Sequence, residues 1–174
     1  MSAPIHERSS VEQRVRDVFR ELFEERDLTK AAEWWSERSV DHFVALGTTA
    51  TGVGELSAFF GEFLQAVPDL VMRIEHVVSD DERGEAVVQW RASGTTSGRP
   101  FQALQPPPGR TIDLRGCDVF RLDADGRVIE NTIYFDGAEF ARQLGMLPAR
   151  DSALDRATVG AFNATSRLRA RLGR

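Results

Sequence analysis

The chain has one cysteine, Cys117, one lysine, Lys30, and one tyrosine, Tyr134. A lone cysteine excludes an internal disulfide, and with it any CxxC or zinc-ribbon chemistry. Arginine carries almost all the positive charge, which reads as a compositional bias without chemical consequence. No apolar run approaches the length of a membrane span. The opening MSAPIHERSS lacks the apolar core of a secretory leader, so none is expected. No HxxxH or HxH spacing offers a ligand pair, so no metal is expected. A net charge of −5 gives no reason to expect nucleic acid or an anionic membrane as partner. A reducing, cytoplasmic setting is the expectation.

What is present is ordinary for a soluble globular domain: 174 residues, 41% hydrophobic and 28% charged. Residues 1–9 read as a loose arm, residues 10–148 as one domain and residues 151–174 as a helical extension. Ser10 and Gln13 have the spacing of a capping box, and Val11, Val15, Val18, Phe19 and Leu22 form one helical face. Ala31 to Ser36 reads as a second short helix, with one indole of the Trp34-Trp35 pair in the core and the other on a cavity. Val40 to Leu46 reads as a strand and Gly47 to Gly54 as a loop. A third helix carries Leu56, Phe59, Phe60, Phe63 and Leu64.

From Leu70 the period becomes two. The turns DDERG (Asp80 to Gly84) and DADG (Asp123 to Gly126) close two hairpins. Between them, Gly98 to Arg110 holds three consecutive prolines and must be a long loop. Gly145 and Pro148 end a short helix that follows Asp136. Helices gathered on one side of an antiparallel meander give an α+β domain. A curved sheet wrapped around the N-terminal helices leaves a conical hollow where a small molecule can bind. In the extension, Leu154, Ala161, Phe162, Leu168 and Leu172 form an apolar stripe, expected to dock on the same domain or on a twin subunit.

Several motifs occur in order: GVGELSAFFGEFLQAVPDL from Gly52 to Leu70, GTTSG from Gly94, PPPGR up to Arg110, DVFRLDADGRVIE from Asp118, and Asp136 followed by Gln143-Leu144-Gly145. Together they resemble the SnoaL-like polyketide cyclases of the nuclear transport factor 2-like superfamily, over roughly Val11 to Pro148. The resemblance implies a cone-shaped fold, cofactor-free acid/base catalysis on a small hydrophobic polyketide-like carbonyl compound, and a homodimer. By the same resemblance Asp136 is the acid/base. Two positions depart from the pattern: Thr96 stands where a histidine is common, and Thr132 where a tryptophan is. The limonene epoxide hydrolase branch is matched less well, because its working aspartate falls on Ile133 and its R-x-D pair on Arg91-Ala92-Ser93.

Candidate site residues follow. Asp136 is placed either to serve the cavity or to cap the helix behind it. His42, alternating with Val40 and Val44, is expected to face inward, which would turn Asp41 outward. Asp118 lies on an otherwise apolar strand face, where a carboxylate is unusual unless paired or functional; a bulge at Gly116 would turn it outward. Tyr134 and Thr96 are candidate donors to an enolate oxygen, and Trp34 and Trp90 candidate cavity walls. His76 fits the cavity wall or an interface, and His6 the loose arm. The alternative to an enzyme is a non-catalytic binding or dimerisation domain of the same fold.

Overall fold

The computed structural model describes residues 10–172, so His6 and the expected arm at residues 1–9 lie outside the described residues. Helix α1 (Val11–Phe19) is capped by Ser10, whose hydroxyl accepts from the Gln13 N–H at 3.2 Å. Its buried face is Val11, Val15, Val18 and Phe19. A π-helical turn, Arg20–Glu24, continues it and carries Leu22 and Phe23 into the core. A 3₁₀ turn (Leu28–Lys30) and the one-turn helix α2 (Ala31–Trp34) lead into strand β1 (Trp35–Phe43).

The next segment corrects the sequence reading. Gly47 to Gly54 is not simply a loop, because Thr48–Thr51 forms strand β2 against β1. Helix α3 (Gly52–Ala66) starts directly after it, buries Leu56 and Phe59, and packs on β1. Strands β3 (Val71–Asp80), β4 (Glu85–Thr95), β5 (Thr111–Leu122) and β6 (Val128–Phe135) follow, then helix α4 (Gly137–Gln143) and helix α5 (Ala153–Leu172). The sheet order is β2-β1-β6-β5-β4-β3. It is mixed rather than wholly antiparallel, since β1 runs parallel to β6.

The loop between β4 and β5 is tied down by Thr96. Its hydroxyl donates to the Pro107 carbonyl at 2.5 Å and accepts from the Arg110 N–H at 2.9 Å. This anchoring lets the loop send Phe101 into the core, edge-on to Phe59 at 5.2 Å between ring centroids. At the same end of β5, α4 is fastened by Gln143, whose amide bonds both the N–H and the carbonyl of Asp113. Helix α5 differs from the rest. None of its described side chains is buried, and Leu154, Phe162, Leu168 and Leu172 are all exposed. It is therefore not seated on its own domain, which corrects that part of the sequence reading.

Candidate active site

Helices α1 and α3 and the concave face of the sheet enclose a cavity of about 70 Å³. Ten of the eleven phenylalanines line it, all but Phe162. Phe43 and Phe59 stack there at 3.7 Å between centroids. Apart from the indoles of Trp35 and Trp90, its only polar side chains are Asp118 and Asn131.

These polar groups belong to a five-residue chain of hydrogen bonds that crosses the four inner strands of the sheet, from β4 to β1. The Trp90 Nε1–H donates to Asp118 Oδ1 at 2.7 Å, and the Trp35 Nε1–H donates to Asp41 Oδ1 at 2.8 Å. Between the two acids, Asn131 Nδ2 donates to Asp118 Oδ2 at 3.2 Å and to Asp41 Oδ2 at 3.3 Å. Each carboxyl thus meets an indole with one oxygen and the shared amide with the other. Sheet register explains the convergence. Asn131 on β6 pairs with Asp41 on β1, and Ile133, two residues further along β6, pairs with Asp118 on β5.

All five side chains are buried, and that sets the electrostatics. Burial pushes the Asp118 carboxyl up to about 7, against the lowering effect of its bonds from Trp90 and Asn131. Burial likewise pushes Asp41 up to about 7, with the neighbouring Asp118 charge adding to the rise. A carboxyl that changes protonation near neutrality is suited to taking and returning a proton.

Residue by residue, the sequence expectations fare unevenly. Asp118 faces the cavity, and the β4–β5 register runs through Gly116 without a bulge. Trp90 lines the wall as expected. In the tryptophan pair the roles are Trp35 on the cavity and Trp34 in the core, where the Trp34 indole donates to Glu21 at 2.7 Å under the Arg14 guanidinium.

Four other residues lie away from the cavity. Asp136 is exposed and caps α4, its Oδ1 accepting from the Glu139 N–H at 2.9 Å, with Arg150 at 3.9 Å from its other oxygen. His42 faces outward, 3.3 Å from Thr49 Oγ1 and 3.6 Å from the Glu130 carboxylate. Tyr134 is 48% exposed on the convex face, in a groove it shares with His76. Thr96 is held by the loop it anchors.

The reversal in β1 has a physical cause. Its inward residues are Ser39, Asp41 and Phe43, and the two polar ones are fully satisfied, Ser39 by donating to the Val128 carbonyl at 2.6 Å. Alternation read from Val40, His42 and Val44 picks the wrong face once buried polar groups have partners. Asp41 and Asn131 are thus the functional candidates that sequence reasoning missed. Their only sequence signal was alternation with Phe43 and Ile133. Among the described residues, no three His, Cys, Asp or Glu side chains converge as a metal site requires.

A model of the SnoaL-like polyketide cyclase family matches residues 13–144, well over half of the sequence. The chain belongs to the SnoaL-like polyketide cyclase family. Solved structures agree on the cone-shaped fold. A protein from Jannaschia sp. CCS1 assigned to the SnoaL-like polyketide cyclases is 27% identical, with a TM-score of 0.65 over 82% of this chain and 99% of that one. TsrD from Streptomyces laurentii is 20% identical, with a TM-score of 0.66 over 81% and 98%. A nuclear transport factor 2-like protein from Burkholderia pseudomallei K96243 is 22% identical, with a TM-score of 0.63 over 79% and 98%. The search of curated proteins returns no match. No helix among the described residues is long and apolar enough to cross a membrane.

Proposed function

We propose that this SnoaL-like protein is a cofactor-independent enzyme that moves protons on a small, hydrophobic, carbonyl-bearing molecule, in cyclase or isomerase chemistry. The observation that carries this reading is Asp118. It is the one carboxyl in a cavity wall made almost wholly of aromatic and aliphatic side chains, and burial holds it near the midpoint of its titration at neutral pH. A carbon beside a carbonyl is acidic enough for such a carboxylate to deprotonate. The C–H electrons pass into the enolate, the proton resides on Asp118, and the same acid returns it to the rearranged or ring-closed product. Asp41 and Asn131 act behind it as positioning residues, since Asn131 holds Asp118 Oδ2 and Asp41 holds Asn131.

The test works without an identified substrate. Exchange of α-protons for deuterium in a panel of compact ketones and 1,3-dicarbonyl compounds is followed by nuclear magnetic resonance. Wild-type protein should accelerate exchange for at least one member, and Asp118→Asn should lower it by about a hundredfold or more while remaining folded. Equal exchange by wild type and Asp118→Asn rejects the reading.

A non-catalytic binding domain is the second reading, because the lining is almost wholly apolar and its carboxyl and amide already hydrogen-bond within the fold. At about 70 Å³ the cavity is well below the roughly 300–1,000 Å³ of typical ligand sites, so a multi-ring ligand needs the aromatic wall to open in either reading. Saturable ligand binding with no exchange at any pH would select this second reading.

A further inference from the structure

Among the described residues, Asn131 has one polar atom without a partner. Its Nδ2 serves both acids, but its Oδ1 is buried and no described donor reaches it. The amide's orientation follows from its neighbours: while either acid is ionised its carboxylate needs a donor, and only the NH₂ end supplies one. A buried amide oxygen without a donor is costly, and such atoms are rare enough to call for an explanation. This one belongs to a residue of the cavity wall, 2% exposed, directly beside Asp118.

The one donor the wall can spare is the Asp118 O–H when that acid holds its proton. Both indole N–H groups and the Asn131 NH₂ are already committed to carboxyls, and the remaining lining is hydrocarbon or aromatic. A bound ketone therefore finds an acid beside it and a free acceptor next to that acid. A ligand matches this pair when it presents a carbonyl and an O–H group together.

We propose that Asn131 Oδ1 is the acceptor for a hydroxyl or enol O–H of the ligand, so that the cavity selects hydroxycarbonyl or enolised dicarbonyl compounds over simple ketones. The inference rests on reading this cavity as the ligand site but not on Asp118 acting as a catalyst. It assigns Asn131 two jobs at once: its amide nitrogen positions the acid, and its amide oxygen recognises the substrate. The size of the cavity adds that the recognised part is compact.

The experiment compares two small ketones of nearly equal shape, hydroxyacetone and 2-butanone, in which an O–H replaces a methyl group. Binding is followed through the indole N–H resonances of Trp35 and Trp90. An apolar cavity without a waiting acceptor prefers 2-butanone. The proposal expects the reverse, with hydroxyacetone about tenfold tighter. The chain contains two asparagines, Asn131 and Asn163, so labelling asparagine with ¹³C gives two side-chain carboxamide signals. Hydroxyacetone should move that of Asn131 downfield, and 2-butanone should leave it in place.

Asn131→Leu should abolish the preference if it folds, while the wild-type shift measurement stands if it does not. Equal or tighter binding of 2-butanone, no binding by either ketone, or an unmoved Asn131 signal overturns the proposal. The two readings fail separately. Preference without α-proton exchange removes the catalytic reading alone, and exchange without preference removes this one alone.

Discussion

Trp90 reaches Asp118 only because residue 116 has no side chain. The indole crosses from β4 over Gly116, its direct partner on β5, and its Nε1–H lands 2.7 Å from Asp118 Oδ1 two residues further on. A Cβ at position 116 would overlap the indole Cζ2 and Cη2 and lie 2.6 Å from the Tyr134 carbonyl. The glycine is there for space.

Gly116→Ala should therefore destabilise the protein by about 3 kcal/mol, the scale of forced overpacking in a core. Trp90→Phe, in contrast, keeps an aromatic ring and removes the donor. Since the indole bond holds the Asp118 carboxyl down, its loss should move the pH at which α-proton exchange turns on to a higher value. Chemical denaturation checks the first substitution and a pH–rate profile the second. An unchanged profile in Trp90→Phe would separate the indole from the acid's chemistry.

Stability should fall as pH rises from about 4 to about 7. Asp41 and Asp118 both have folded values near 7 against an ordinary value of 3.8. In that window the folded chain keeps protons that the unfolded chain has released, so raising the pH favours unfolding. The stabilisation is complete below 3.8 and is lost through about 7. Each acid contributes a slope of up to about 1.4 kcal/mol per pH unit. The carboxyls of Asp27, Asp69 and Asp113 are held below the usual range by their hydrogen bonds and lose their contribution only at lower pH. Asp118→Asn should flatten the decline and be more stable than wild type, relative to pH 4, once the pH exceeds 7. A wild-type stability that climbs from pH 4 to 7 would contradict the burial argument.

The fold was largely legible from the sequence because hydrophobic periodicity dominates it. The Ser10 cap, the hairpin at DADG and the inward face of β5 all follow from local pattern and turn chemistry. The site was legible only in part. Asp118 stood out because its strand neighbours are apolar. Asp41 and Asn131 did not, since each is tolerable inside only with the other present, and that pairing joins β1 to β6 across 90 residues. Asp136 was ambiguous for a different reason: a carboxylate at a strand end followed by a helix is also the signature of an N-cap, and that cap is what forms.

Asp136 accordingly gives a discriminating pair of substitutions. Asp136→Asn preserves a side chain that caps well, so stability and α-proton exchange should both stay near wild type. Asp136→Ala should lose about 1 kcal/mol through the unprotected α4 terminus. Loss of exchange in a folded Asp136→Asn would move the acid/base from Asp118 to the exposed end of the strand.

The convex face of the sheet carries the last prediction. Val78, Val87, Val119 and Thr132 form one row across β3, β4, β5 and β6, each paired with the next. Beside it runs a second row of His76, Gln89, Cys117 and Tyr134. The three valines and Tyr134 are each 39–58% exposed, an apolar patch at the centre of the sheet. Around it stand the ion pairs Arg91–Asp113, Arg115–Glu75 and Arg121–Glu130. An apolar centre with a charged rim is the anatomy of a protein interface, and a single repeated surface is self-complementary about a two-fold axis. We expect a homodimer through this face. Val87→Asp places a charge at its middle and should yield a folded monomer by light scattering at micromolar concentration, with the inner cavity unaffected. Wild-type protein that is itself monomeric under those conditions would remove the interface.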